Sequence, residues 1–130
     1  MITDRFLGEV AQAIGGEAFN IPEYTAVTTD IVSTDLTETT TSLNGEIGDR
    51  LTNTVSREDN VVSYSAIRSG TTDLVSTSGD TLEGFGTFID EAGNTLMTGV
   101  VFDIPFTHTN AFDVEFITTI TVDRKAEEWV

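Results

Sequence analysis

The side chains in this 130-residue chain that could do chemistry are few and scattered. Its one histidine, His108, lies in Thr107-His108-Thr109-Asn110, a run of turn-forming residues. There is no Cys to join it and no second His at a ligand spacing, so no His/Cys zinc set can be assembled, and thiolate chemistry and disulfides are excluded. A hydroxyl nucleophile needs a base in hydrogen-bond reach and a third group to orient that base. No serine lies in a strand–turn–helix elbow, and His108 is expected as an exposed turn residue. Acid pairs recur at Glu58-Asp59, Asp90-Glu91 and Glu127-Glu128. Two carboxylates roughly 5–9.5 Å apart can cleave glycosides, but among 22 acids such a distance arises by chance. Asp90, Glu91 and Asn94 around Gly93 offer hard oxygens in a tight loop and make a calcium candidate. Their spacing lacks the alternate ligands and closing Glu of an EF-hand loop, and a plain hairpin turn explains the same residues. Gly84 and Gly86 sit inside an apparent strand rather than before a helix, so they do not cradle a phosphate. The chain is expected to be a non-enzyme, with no catalytic residues and no cofactor.

The elements around these residues are mostly strands. From Phe112 to Val122, apolar Phe112, Val114, Phe116, Ile120 and Val122 share one face at period two, and Asp113, Glu115, Thr119 and Thr121 share the other, as in a strand with one dry side. Residues 2–14 carry Ile2, Phe6, Val10 and Ile14 at four-residue intervals. This predicts a short amphipathic helix capped by Thr3 or Asp4 and ended by Gly15-Gly16. Its stripe must dock, either on the chain's own sheet or on a neighbouring subunit. Strands are expected at 23–32, 51–57, 61–68, 82–89 and 95–106, with a helical turn from Leu43 to Ile47 and polar loops at 33–42 and 71–81. Gly84 and Gly86 around Phe85 suggest a bulge or a close backbone approach, and Pro105 an edge or strand end. Residues 90–94 read as a hairpin loop. Leu96, Val100, Phe102, Ile104 and Phe106 are expected on one face. The fold class is mainly β: an antiparallel β-sandwich, jelly-roll-like or immunoglobulin-like, with a short N-terminal amphipathic helix. A partly open barrel is the alternative. Residues 1–16 form the helical arm, with a hinge at Gly15-Gly16, and 17–130 a single β-sandwich domain.

Charge narrows the setting. Twenty-two acids against six bases give a formal net charge of −16, and Lys125 is the only lysine. The acids are spread along the whole chain, which argues against a disordered acidic block. One reading is an ordinary acidic protein with a solvated surface. The other, favoured here, is adaptation to high salt: at about 1 M the Debye length is about 3 Å, so self-repulsion is nearly erased. Such a surface disfavours direct nucleic-acid binding, which rests on neutralising phosphates with Lys and Arg. No apolar run approaches the roughly 20 residues of a membrane span. The N-terminus lacks a basic segment followed by an apolar core, so a secretory signal is not expected.

From Leu43 onward, the order of features resembles small structural proteins, tail or capsid-associated, of tailed bacteriophages and tailed haloarchaeal viruses. The first element is Leu43-Asn44-Gly45-Glu46-Ile47-Gly48-Asp49-Arg50. The middle is Glu83-Gly84-Phe85-Gly86-Thr87-Phe88, then Asp90-Glu91-Ala92-Gly93-Asn94-Thr95-Leu96-Met97, and the end is Phe102 through Val122. The likeness covers about two-thirds of the chain. Glu83 lies one residue early relative to Gly86, a departure from the pattern. The resemblance implies a virion component without catalytic residues and, joined to the acidic surface, a virus of a salt-loving archaeal host.

A virion subunit works by repetition, through interfaces that bury apolar groups. Residues that break the in/out rule are the interface candidates: Met97 and Val101 opposite the expected core face of their strand, Ile117 on the wet face of the last strand, Trp129 in a charged tail, and Phe6, Val10 and Ile14 of the helical stripe. The expected partners are copies of the chain itself, as a homo-oligomer, and other virion proteins. The alternative function is a carbohydrate- or cell-surface-binding β module contacting a host-surface glycan. That class needs exposed aromatics, and the chain has only two Tyr and one Trp. A small hydrolase using paired acids is the third class.

Overall fold

A computed structural model describes residues 1–123. One helix, α1 (Asp4–Ile14), precedes seven strands: β1 (Tyr24–Thr28), β2 (Glu46–Thr52), β3 (Thr54–Glu58), β4 (Val61–Arg68), β5 (Asp80–Phe88), β6 (Leu96–His108) and β7 (Val114–Thr121). They form two antiparallel sheets, one in the order β2-β1-β5-β6 and one in the order β3-β4-β7.

Helix α1 begins where the sequence places it. The Thr3 hydroxyl accepts from the Phe6 amide at 3.4 Å and donates to the Leu96 carbonyl at 2.7 Å. A Thr side chain so placed satisfies a helix amide that would otherwise lack a partner. Gly15 caps the other end, and Gly16 follows at φ +75°. Met1 and Gly99 exchange bonds of 2.9 and 3.0 Å, and the Thr3 amide donates to Met97 at 3.1 Å, so the chain start runs along β6. No residue of α1 is fully buried.

The four-stranded sheet has two dry faces, because adjacent strand residues point to opposite sides. On one face, Ala26, Phe88 and Leu96 pack with Ile31 and Leu43, and Leu36 adds to them. The segment after β1 is pinned by those three aliphatics, of which Leu36 lies within the 33–42 stretch expected as a polar loop, and it contains a 3-10 turn at Ser33–Asp35. It sits very low on the sheet: a Cβ on Gly86 would lie 2.7 Å from the Thr98 carbonyl and 3.0 Å from Leu43 Cδ1. That contact is the close approach which the glycines around Phe85 announce. On the opposite face, Val27, Leu82 and Phe85 meet Phe116 and Val114 of the second sheet, with Phe85 and Phe116 ring centroids 5.1 Å apart.

Several expected boundaries shift. Strand β1 ends at Thr28, and Leu43–Ile47 is no helical turn: β2 already starts at Glu46. Between the pairs Thr25↔Leu51 and Val27↔Ile47, β2 spends four steps against two, with Gly48 at φ +68° inside the irregularity. Strand β6 departs furthest from plain alternation. Met97 is an extra residue between the pairs Thr87↔Thr98 and Phe88↔Leu96. From Gly84↔Val101 to Leu82↔Phe106, β6 spends five steps against two on β5. The five apolar residues of β6 therefore do not share one face. Leu96 lies in one core, Phe102 and Phe106 pack on the other, and Ile104 is 81% exposed. Pro105 lies in this irregular stretch, on an edge strand where its missing amide breaks no interior ladder. The last strand is shorter than its pattern, since Phe112 and Val122 lie beyond it and are exposed.

Candidate functional site

Period two in β4 puts Tyr64, Ala66 and Arg68 on the inner face, and all three are buried. An arginine at such a position requires internal partners, since an unpaired buried charge is very costly. Arg68 finds them at the open ends of β5 and β6. Its guanidinium donates to Asp80 Oδ2 at 2.7 Å, to His108 Nδ1 at 2.8 Å and to the Asp73 carbonyl at 3.1 Å. Asp80 also accepts from the amides of Val75 and Ser76, each at 2.9 Å. Burial alone would raise the Asp80 carboxyl above its ordinary value. The Arg68 hydrogen bond, the two amides and the Arg68 charge together outweigh burial and hold it below that value.

His108 corrects the sequence reading. It is 0% exposed rather than a surface turn residue. Arginine can only donate, so Nδ1 accepts from Arg68; a carbonyl can only accept, so Nε2 donates to Phe112 at 2.8 Å. The geometry assigns the Nε2–H tautomer and leaves neither nitrogen free for a substrate. Around this centre, Asp113 accepts from the Gly70 amide at 2.9 Å and Asp73 from the Ser69 amide at 2.6 Å. A Cβ on Gly70 would meet the Phe112 and Thr109 carbonyls at 2.4 and 2.6 Å. The cluster fastens the 69–79 loop to the 109–113 loop. The inner-face parity of Arg68 is the signal that could have revealed it; the residues next to His108 could not, because its hydrogen-bond partners are Arg68, 40 residues away, and a backbone carbonyl.

The calcium candidate meets a cation of the protein's own. Arg50 donates to the carbonyls of Asp90 and Gly93 at 3.0 and 2.8 Å. It grips Glu46 through two bonds of 2.7 and 3.1 Å, and its guanidinium carbon lies 3.5 Å over the centroid of Phe88. Two of the loop's backbone carbonyls are thus held by Arg50, and among the described residues no group of three His, Cys, Asp or Glu converges.

The interface candidates fall into distinct settings. Met97 is 1% exposed, so its bulge turns it inward, where Phe6, Val10 and Ile14 line a groove with it and Tyr64. Its place opposite the expected core face of β6 does not expose it; the chain's own helix covers it. Val101 is half-buried against the core that holds Leu96. Phe6 is half-buried, and Val10 and Ile14 are exposed. Ile117 is 52% exposed on the outer face of the three-stranded sheet, which it shares with exposed Ile67, a residue the sequence reading passed over. Trp129 lies outside the described residues, as do Glu127 and Glu128. No described helix is long and apolar enough to cross a membrane.

Comparison with family models, with curated proteins and with solved structures returns no match to this chain.

Proposed function

We propose that the protein is a non-enzymatic structural subunit of a virion, a tail or capsid-associated component of a tailed virus whose host is a halophilic archaeon. The observation that carries the assembling part is the contrast between its polar and apolar groups. The buried titratable cluster of Arg68, Asp80 and His108 is spent on internal bonds, whereas Ile67, Ile104, Ile117 and Val122 stand out into solvent. Exposed apolar groups of this kind suit contacts between subunits better than turnover of a small molecule. The viral setting rests on the resemblance of the segment from Leu43 to Val122, and the saline setting on the charge of −16. In this reading the two sheets form an antiparallel sandwich around Val27, Leu82 and Phe116, which supplies a rigid wall for repeated contacts.

Sedimentation of the purified protein across about 0.1–3 M salt, where screening shortens from about 10 Å to under 3 Å, tests the assembling role. Growth in particle size with salt is expected, and negative-stain images at high salt should show regular assemblies. A monomer at every salt concentration would rule it out.

A further inference from the structure

The two sheets have four edges, and three of them are guarded in the ways sheets use to avoid joining other chains. Strand β2 is interrupted at Gly48 and carries Glu46, Asp49 and Arg50. Strand β3 is five residues long and ends in Arg57 and Glu58. Strand β6 is covered at Met97–Gly99 by the chain start and broken around Pro105. Among the described residues, the fourth edge, β7, has none of these devices. It pairs with β4 over eight consecutive residues without a register shift, and it holds no Pro, no Lys and a single charge, Glu115.

The direction of its free hydrogen-bonding groups follows from the ladder. The Val122 amide donates to the Asn60 carbonyl, so Val122 and every second residue before it face β4. The amides and carbonyls of Glu115, Ile117, Thr119 and Thr121 therefore point away from the sheet, and none of them bonds to another described residue. Beside Ile117 and Thr118 no strand is hydrogen-bonded to β7; an open groove of about 300 Å³ lies there, lined by Phe85 and Phe102 and, on β6 and the chain start, by Thr98, Val100 and Met1.

We propose that this edge pairs with the same edge of a second copy, antiparallel, about a two-fold axis at Thr118. In that register Ile117 lies opposite Thr119 of the second copy, and Glu115 opposite its Thr121. Each such pair exchanges two hydrogen bonds, so every outward group is used. On the inner face Phe116 would lie beside Ile120 and Val114 beside Val122, covering a valine now 70% exposed. The two Glu115 side chains end about 20 Å apart along the strands, beyond the screening length even at about 0.15 M salt. The edge thus sets no charge of its own against a second copy in this register, and its outward hydrogen-bonding groups are self-complementary. The contact deepens the assembling role proposed above and rests on that reading for its purpose.

The chain has no cysteine, so single substitutions report the register. Thr118→Cys should form a disulfide-linked dimer on oxidation at about 2 M potassium chloride, since facing residues in such a pair lie about 4.5 Å apart at Cα. Glu115→Cys should not. Linkage through Glu115→Cys, or through neither, would overturn the register. Thr119→Pro removes an outward amide and leaves the β4 ladder intact, so it should weaken dimerisation about 10-fold or more without unfolding the protein. Thr119→Lys, which guards an edge by charge, should do the same if the proline variant fails to fold. Wild-type assembly that persists in both variants would refute this edge and leave the assembling role standing; a wild type that never associates would end both. Hydrogen exchange at Glu115, Ile117, Thr119 and Thr121 should slow as protein concentration rises. Slow exchange at every concentration would mean that the chain's own residues cover β7, and the proposal would fall.

Discussion

Two arginines hold this molecule together, and they do it differently. Arg68 lies inside the fold with Asp80, both side chains under 5% exposed, and its bonds to Asp80 and His108 are buried, while the one to the Asp73 carbonyl is half-buried. Arg50 lies at the margin, with Glu46 24% exposed beside it, and spreads over Phe88 and the carbonyls of the 90–93 turn. The first is a closed set in which each member needs the others, because removing one strands a charge away from water. The second is a strap: Phe88 beneath it is buried and the Arg50 side chain is 7% exposed, but Glu46 and the turn carbonyls it holds are still reachable by solvent. In a chain with six bases against 22 acids, both uses hold a cation near carboxylates, but only the first commits the fold to it.

The difference predicts a graded set of outcomes in denaturant unfolding at moderate pH. Arg68→Met should cost the most, about 3–5 kcal/mol, because Asp80 keeps its charge without its partner. That cost should shrink on acidification. The folded Asp80 carboxyl titrates below its ordinary value of 3.8, so its stabilisation is complete above that value and is lost as pH falls through the folded one. A cost for Arg68→Met that stayed constant from pH 7 to pH 3 would break the view of Arg68 and Asp80 as one unit. His108→Phe should come next, at about 1–3 kcal/mol, since it leaves the Phe112 carbonyl and an Arg68 donor unsatisfied. Its signature would be faster amide exchange in both the 69–79 and 109–113 loops. Arg50→Met should cost about 1–2 kcal/mol, through the lost face-on contact with Phe88 and the released turn. Proteolysis should then find the 90–94 turn while the rest of the chain resists. Glu46→Gln should be smallest, about 0.2–1 kcal/mol and further reduced by salt. If it rivalled Arg68→Met, the distinction between strap and closed set would fail.

Six strands were legible from period-two patterning and turn residues, but β2 and β3 ran together as one strand at 51–57 behind an expected helical turn. Val61 to Arg68 needed no more than its period and its turns, and Thr3 with Gly15-Gly16 marked the helix ends. The irregular strands were not legible. The extra residue at Met97 and the long detour before Phe106 are set by pairing with β5, and a one-residue shift moves every later side chain to the other face. That shift is why Met97, which the pattern offered as an interface residue, is enclosed, and why Ile104, which it assigned to the core, is outside. His108 was misplaced for a related reason: its turn-like neighbours describe the backbone, whereas its burial comes from Arg68, forty residues earlier.

Composition and periodicity alone determined a mainly β chain with a short capped helix, no thiol chemistry and a heavily acidic surface, because each of these follows from residue type or local spacing. Only the tertiary structure decided which apolar residues are left over, which charges are enclosed, and which strands form the sheet edges among the described residues. Those outcomes depend on register between distant strands, and no local stretch of sequence carries that information.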